Sequence, residues 1–162
     1  MKPFSFLLLL LVFTGCAKLS TETKTIDLQL SGDMLFSGAN TLQMPVQTTT
    51  QSLAGTLNLE ESQLKNIGLN KATIRLTEEQ KAITESLLLQ IVSANNEMLS
   101  LGTLNPLPEG TEFELNLAEE VDLLPYLNDE DATWVLDLNL SEDYMDEMKV
   151  SGQLELNVNY KD

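Results

Sequence analysis

Apolar residues along this chain recur mainly with a period of two, the repeat of a strand with one face buried. Ile26, Leu28 and Leu30 alternate with Asp27 and Gln29; Leu42, Met44 and Val46 alternate with Gln43, Pro45 and Gln47. Pro45 has no N–H to give a ladder, which marks its segment as an edge strand or extended loop. Residues 48–52 continue as polar, β-favouring surface, and 53–59 alternate again. Residues 69–77 read as a strand. Residues 85–94 hold Leu87, Leu88, Leu89, Ile91 and Val92, apolar on both faces, as in a strand at the centre of a packed sheet. Residues 98–104 form a weaker strand. The last third is the most regular: Phe113, Leu115 and Leu117, then Trp134, Leu136, Leu138 and Leu140, then Val150, Gly152, Leu154, Leu156, Val158 and Tyr160 alternate with other residues, mostly polar. A slip of one residue would turn each of these apolar sets to water, so the register is fixed by burial.

Helical signals are few. Asn58 is placed to cap a short helix over 60–67, with Glu61 three residues on, Leu64 and Ile67 on one face, and Gly68 at the left-handed C-terminal position. Residues 119–126 read as a turn or short helix stopped near Pro125, 78–84 as a charged connection and 105–110 as a loop. Met34, Leu35 and Phe36 are apolar without alternation and fit no single element. The sum is an all-β chain: an antiparallel β-sandwich of seven or eight strands with one or two short helices. There is no Cys-Trp-Cys spacing, so it is not an antibody-type domain. The strand spacing over 25–160, with a helix between two of the strands, resembles the immunoglobulin-like and LEA14-like sandwiches of bacterial lipoproteins, although no diagnostic motif accompanies it.

The first sixteen residues follow a different rule. One basic residue, Lys2, precedes the apolar run 4–13, and Thr14-Gly15 precede the lone Cys16. This is the order of a secretory signal, and a run of about ten residues falls short of the ~20 that span a bilayer as a helix. The ending Phe13-Thr14-Gly15-Cys16 resembles a bacterial lipobox, with Phe13 where Leu is usual. The resemblance implies cleavage before Cys16, acylation of Cys16, and anchoring in membrane lipid; Ala17 after the cysteine suggests the outer membrane. The expected organisation is therefore a cleaved signal peptide at 1–15, a lipidated N-terminus and polar tether at 16–24, and one domain at 25–162.

Charge and composition narrow the function. The chain carries a net charge of −16, and with no basic patch it would repel phosphate backbones, which excludes nucleic acid as a partner. It contains no histidine, which removes Ser-His and Cys-His nucleophile systems and every histidine-bearing metal site. Acylation would use its only cysteine. Ser62-Gln63-Leu64-Lys65 matches the Ser-x-x-Lys spacing of penicillin-binding enzymes, but without their companion elements, and a solvated lysine beside a lidding helix is the simpler reading. The acidic clusters at 129–131 and at 142–147 flank the Trp134 strand. That strand holds them roughly 30 Å apart, too far to share a calcium ion. Trp134 is in phase with Leu136 and Leu138 and belongs to the core.

No enzyme and no cofactor are expected. The function expected is a membrane-anchored, non-catalytic binding or structural lipoprotein of the cell envelope, meeting an envelope protein; the alternative is a surface glycan-binding subunit or adhesin. The contact residues expected are Tyr126 and Tyr144, in the predicted loops, with Asp129 and Asp131.

Overall fold

A computed structural model of the chain describes residues 18–161. Cys16 and the signal peptide at 1–15 lie outside the described residues. Nine strands and three short helices follow one another: β1 (Leu19–Gly32), β2 (Gly38–Pro45), α1 (Thr50–Thr56), a 3-10 turn (Glu61–Gln63), β3 (Leu64–Arg75), α2 (Glu78–Ile83), β4 (Thr84–Val92), β5 (Leu99–Leu104), β6 (Glu112–Glu114), β7 (Asn116–Leu117), α3 (Leu124–Leu127), β8 (Thr133–Leu140) and β9 (Met148–Lys161). All-β antiparallel architecture is what the alternation predicts and what forms, with nine strands rather than seven or eight.

The strands lie in the order β6-β3-β9-β1-β2-β8-β4-β5-β7, and every pairing is antiparallel. The middle of that order is its weakest join, because β1 and β2 share one register pair, Ser31↔Gln43. The single nine-stranded sheet thus has two halves, β6-β3-β9-β1 and β2-β8-β4-β5-β7, whose apolar faces meet in a jelly-roll-like sandwich that nearly closes into a barrel. Ile26, Leu28 and Leu30 of β1, Ile67 and Ile74 of β3, and Leu154, Leu156 and Val158 of β9 line one side of the core. Leu42, Leu87, Leu89, Ile91, Leu101, Trp134, Leu136 and Leu138 line the other.

β6 and β7 are the two extreme strands of the order, and one residue, Leu115, separates them. The stretch read as a single strand at 112–117 is a crossover: its first half pairs with β3 and its second with β5. Leu115 is buried and its amide donates to the Ala72 carbonyl at 2.9 Å.

Several local expectations are corrected. No helix occupies 60–67; a 3-10 turn ends at Gln63 and β3 begins at Leu64. Gly68 sits inside β3 opposite Asn157. The helix lies earlier, at α1, where a strand was expected. Thr49 accepts from the Ser52 amide while the Ser52 hydroxyl accepts from the Thr49 amide, a closed capping box. At its other end Asn58 takes φ 56°, with its amide bonded to Gly55 and the Leu59 amide to Ala54. That is a Schellman closure, so Asn58 ends the helix before it instead of starting one after it. The charged connection at 78–84 is helix α2, capped by Thr77 and Gln80. Pro125 stands at the start of α3 rather than stopping it, where its missing N–H is harmless.

The polar stretch at 16–24, read as a tether, is strand from Leu19 onward. Leu19 pairs with Lys161 and Lys24 with Leu156, in a register unbroken to Gly32↔Met148. β-branched Thr21, Thr23 and Thr25 suit that strand. No helix among the described residues is long and apolar enough to cross a membrane.

Candidate functional site

The two ends of the sandwich differ in chemistry. β1 and β9 run its whole length, so Leu19 and Lys161 mark one end, and Gly32 and Met148 the other, about 45 Å away along the strand.

At the Gly32 end, the β1–β2 loop and the β8–β9 loop are joined by a two-way backbone bridge. The Leu35 amide donates to the Tyr144 carbonyl at 2.9 Å, and the Tyr144 amide to the Leu35 carbonyl at 2.8 Å. Further hydrogen bonds fix the loop. Asn40 Oδ1 accepts from the Phe36 amide at 3.0 Å, its Nδ2 donates to the Phe36 and Gly38 carbonyls, and Asp143 Oδ1 accepts from the Ser37 amide at 2.8 Å. Leu35 is buried beneath this bridge, and Tyr144 is half-buried against the core. The residues beside them are not: Met34 is 65% exposed, Phe36 60% and Met145 60%. These are three of the five large apolar side chains exposed among the described residues, and hydrogen-bonded loops hold them in water around one bridge. Asp33, Glu142, Asp143, Asp146 and Glu147 surround them in the sequence. One cation lies close by: Lys149, whose Nζ meets Glu147 at 2.7 Å. That carboxylate, helped by Asp33, holds the ammonium pKa above its ordinary value. The result is a group of exposed apolar side chains, a knob, on hydrogen-bonded loops whose sequence is rich in carboxylates.

At the opposite end, Asn95, Asn96, Pro125, Asn128, Asp129, Glu130 and Asp131 line an open depression of about 480 Å³. Asp129 accepts from Asn95 Nδ2 at 3.0 Å and from the Asn95 and Asp131 amides at 3.3 Å. Partial burial pushes its pKa up, but the hydrogen bonds from Asn95, Ser93 and Asp131 outweigh this and hold it below the ordinary carboxylate value. Its acceptor capacity is therefore spent on the turn after β4 and on its own loop. Asp131 is exposed and gives its amide to Asp129. Next to this depression the buried Thr50 hydroxyl lies between Glu61 and Asn128 and ties α1 to the α3–β8 loop.

The four expected contact residues thus fall into different settings. Tyr144 is at the apolar knob. Asp129 and Asp131 are together at the other end. Tyr126, expected in an exposed loop, is 8% exposed; its ring is in the core and its hydroxyl donates to the Glu97 carbonyl at 2.5 Å. It is an anchor for the 95–97 turn, which corrects its reading as a contact residue. Met34, Phe36 and Met145 were missed because the apolar triplet 34–36 shows no period. Its middle residue is claimed by a partner, Tyr144, far along the chain.

Among the described residues, no three acidic or thiol side chains converge on a point that would hold a metal ion. Lys65 Nζ is bonded to the Ser62 carbonyl at 2.7 Å, while the Ser62 hydroxyl turns to Glu60. The Ser-x-x-Lys match therefore places no base on the serine. β8 separates the two acidic clusters as expected.

No protein-family model matches the chain. No curated protein matches it either. Among solved structures it is similar to a desmodium yellow mottle tymovirus structure, at 12% identity and a TM-score of 0.36, covering 88% of this chain and 89% of that one. It is also similar to the decameric BFDV capsid protein, at 9% identity and 0.36, covering 88% and 99%. A turnip yellow mosaic virus structure aligns at 10% identity and 0.32, covering 86% and 82%. These likenesses are too distant to carry any functional argument.

Proposed function

We propose that the chain is a lipid-anchored, non-catalytic binding module of the bacterial cell envelope, held by acylated Cys16 at one end and presenting the Met34–Phe36–Met145 knob at the other. The observation that carries this reading is the placement of those three exposed apolar side chains at the end of β1 opposite its start. The lipobox-like sequence before Cys16 and the early start of β1 support the anchoring half. Only Ala17 and Lys18 stand between Cys16 and the first residue of β1. Three residue steps extend at most ~11 Å, so a lipid on Cys16 would keep the Leu19 end of the domain at the membrane. An eight-residue tether would let it roam. The knob would then stand off about 45 Å. Its acidic rim selects a protein partner with an apolar cleft edged by basic residues. We place the chain at the outer membrane on the strength of Ala17. The glycan-binding alternative rests on the loop tyrosines and acidic loops, and with Tyr126 in the core it keeps only Tyr144 and the acidic loops.

The test combines two readouts on the full chain in cells. Labelling with an alkyne palmitate should mark the chain and be lost in Cys16→Ser, which should also leave the membrane fraction. A photo-cross-linking residue at Phe36 should trap one protein that the same residue at exposed Glu109 does not trap. An unlabelled chain, or one still membrane-bound after Cys16→Ser, would overturn the anchor. Equal trapping at both positions would overturn the knob.

A further inference from the structure

Strand β1 has two edges, and over most of its length only one is used. Its β9 edge is paired at every residue from Leu19 to Gly32. The other edge meets β2 at the single pair Ser31↔Gln43, and the Gln29 amide reaches only the Met44 sulfur at 3.1 Å. Below that point β2 has already left the sheet at Pro45. In an unbroken ladder the backbone of every second residue faces the same side. Since Gln29 faces this edge, so do Thr21, Thr23, Thr25 and Asp27. Among the described residues no strand pairs with them on that side.

An open edge of this length invites another strand, and natural proteins normally blunt such edges with charge. The charges here do something else. Glu22 and Lys24 lie two apart on one face of β1, with Lys24 Nζ 3.0 Å from Glu22 Oε1. We infer that the free edge of β1 pairs antiparallel with the same edge of a second copy of this chain, about a two-fold axis at Thr23. Edge-facing residues must meet edge-facing residues, so the axis passes through a residue position, not between two. An axis at Lys24 would oppose Lys24 to its own copy. An axis at Thr25 would oppose Lys24 to Ile26 and Glu22 to Leu28. At Thr23 alone, Glu22 faces Lys24 of the copy and Lys24 faces its Glu22, in the closer, non-hydrogen-bonded positions. In that register Thr23 meets Thr23, and Thr21 meets Thr25, a ladder of β-branched hydroxyl side chains suited to cross-strand contact. The arrangement joins the β6-β3-β9-β1 halves of two copies strand to strand. It leaves the knob and the Asn95–Asp131 depression free, and it does not depend on the lipid.

The register gives the test. Single cysteines are placed at Thr23 and at Thr21 in the full chain, which is purified in mild detergent and gently oxidised, with the unsubstituted chain as background. Thr23→Cys should form a disulfide-linked dimer, because it opposes itself across the axis at a Cα separation of about 5.5 Å, within disulfide range. Thr21→Cys should not, because it opposes Thr25. In the Thr23→Cys background, Lys24→Glu should lower cross-linking roughly fivefold or more by setting like charges opposite one another. Adding Glu22→Lys should restore it. Trp134 emission checks that each variant is folded. Equal dimer from both cysteines, no dimer above background from folded Thr23→Cys, or no recovery in the folded charge-swapped variant would overturn the proposal.

Discussion

The Leu115 amide donates to the Ala72 carbonyl at 2.9 Å, and this one bond seats the residue at which the chain passes from one sheet to the other. On one side of it Phe113 pairs with Ile74 in β3; on the other Leu117 pairs with Gly102 in β5. The crossover closes the edge of the sandwich opposite the open β1–β2 join.

Closure on that side depends on Gly102. A Cβ there would lie 3.1 Å from the Leu115 Cβ and 3.2 Å from the Asn116 carbonyl oxygen, with backbone as one of the obstructions. Gly102→Ala must push the crossover outward and should destabilise the domain by about 1–3 kcal/mol. Gly55→Ala, in α1 with nothing within 4 Å of the new Cβ, should stabilise it by about 0.5–1 kcal/mol through helix propensity. Urea unfolding followed by the emission of Trp134, the chain's one tryptophan and fully buried, separates the two. Equal and small effects would mean the crossover is not tightly seated.

Helix α1 has an N-terminus built from Thr49 and Ser52. Thr49→Ala removes the acceptor of the Ser52 amide and should lower stability by about 1 kcal/mol. Thr49→Ser keeps the oxygen and should retain most of it. If both variants unfold at the same urea concentration as the parent, the cap carries no stability.

Those helices also show where the sequence is silent and why. β8 and β9 are readable because alternation with a buried face admits one register; the apolar residues the pattern names are buried, save the half-buried Tyr160, and Val135 and Met148 are buried besides. Residues 53–59 are different, since Leu53, Leu57 and Leu59 fit a strand while Leu53, Ala54 and Leu57 fit a helix face. The deciding capping box has Ser52 in place of the usual Glu or Gln. Asn58 fits either side of a helix, and only the hydrogen bonds from Asn58 and Leu59 back to Gly55 and Ala54 assign it. The crossover reads as one strand because alternation reports burial, not which neighbour a residue pairs with. Of the two tyrosines expected in loops, Tyr144 lies in one, but Tyr126 sits among Leu123, Leu124 and Leu127, apolar neighbours that signal burial.

The knob should be dispensable for folding. Phe36→Asp places a charge where the side chain is already 60% exposed, and stability should change by no more than about 0.5 kcal/mol. Leu35→Asp, one residue earlier and 5% exposed, buries an unpaired charge and should unfold the loop pair or the domain. A thermal melt distinguishes them. If Phe36→Asp is as damaging as Leu35→Asp, the exposed side chains serve the fold and not a partner.

Acid should remove a stabilising contribution of Asp129. Its folded-state pKa lies below its ordinary value because the hydrogen bonds from Asn95, Ser93 and Asp131 outweigh the opposing effect of burial. A carboxylate with a depressed folded pKa adds stability above its unfolded pKa, about 3.9, and that stability is lost as pH falls through the folded value. Asp129→Asn keeps an acceptor oxygen but cannot titrate. The parent should therefore be the more stable of the two at pH 7. The difference should begin to shrink below about pH 4 as the unfolded carboxylate takes up a proton, and should level off once the folded carboxylate is protonated as well. Urea midpoints for both proteins between pH 7 and the acid limit of folding measure it. A difference that stays constant across that range would mean the hydrogen bonds to Asp129 do not favour its charged form.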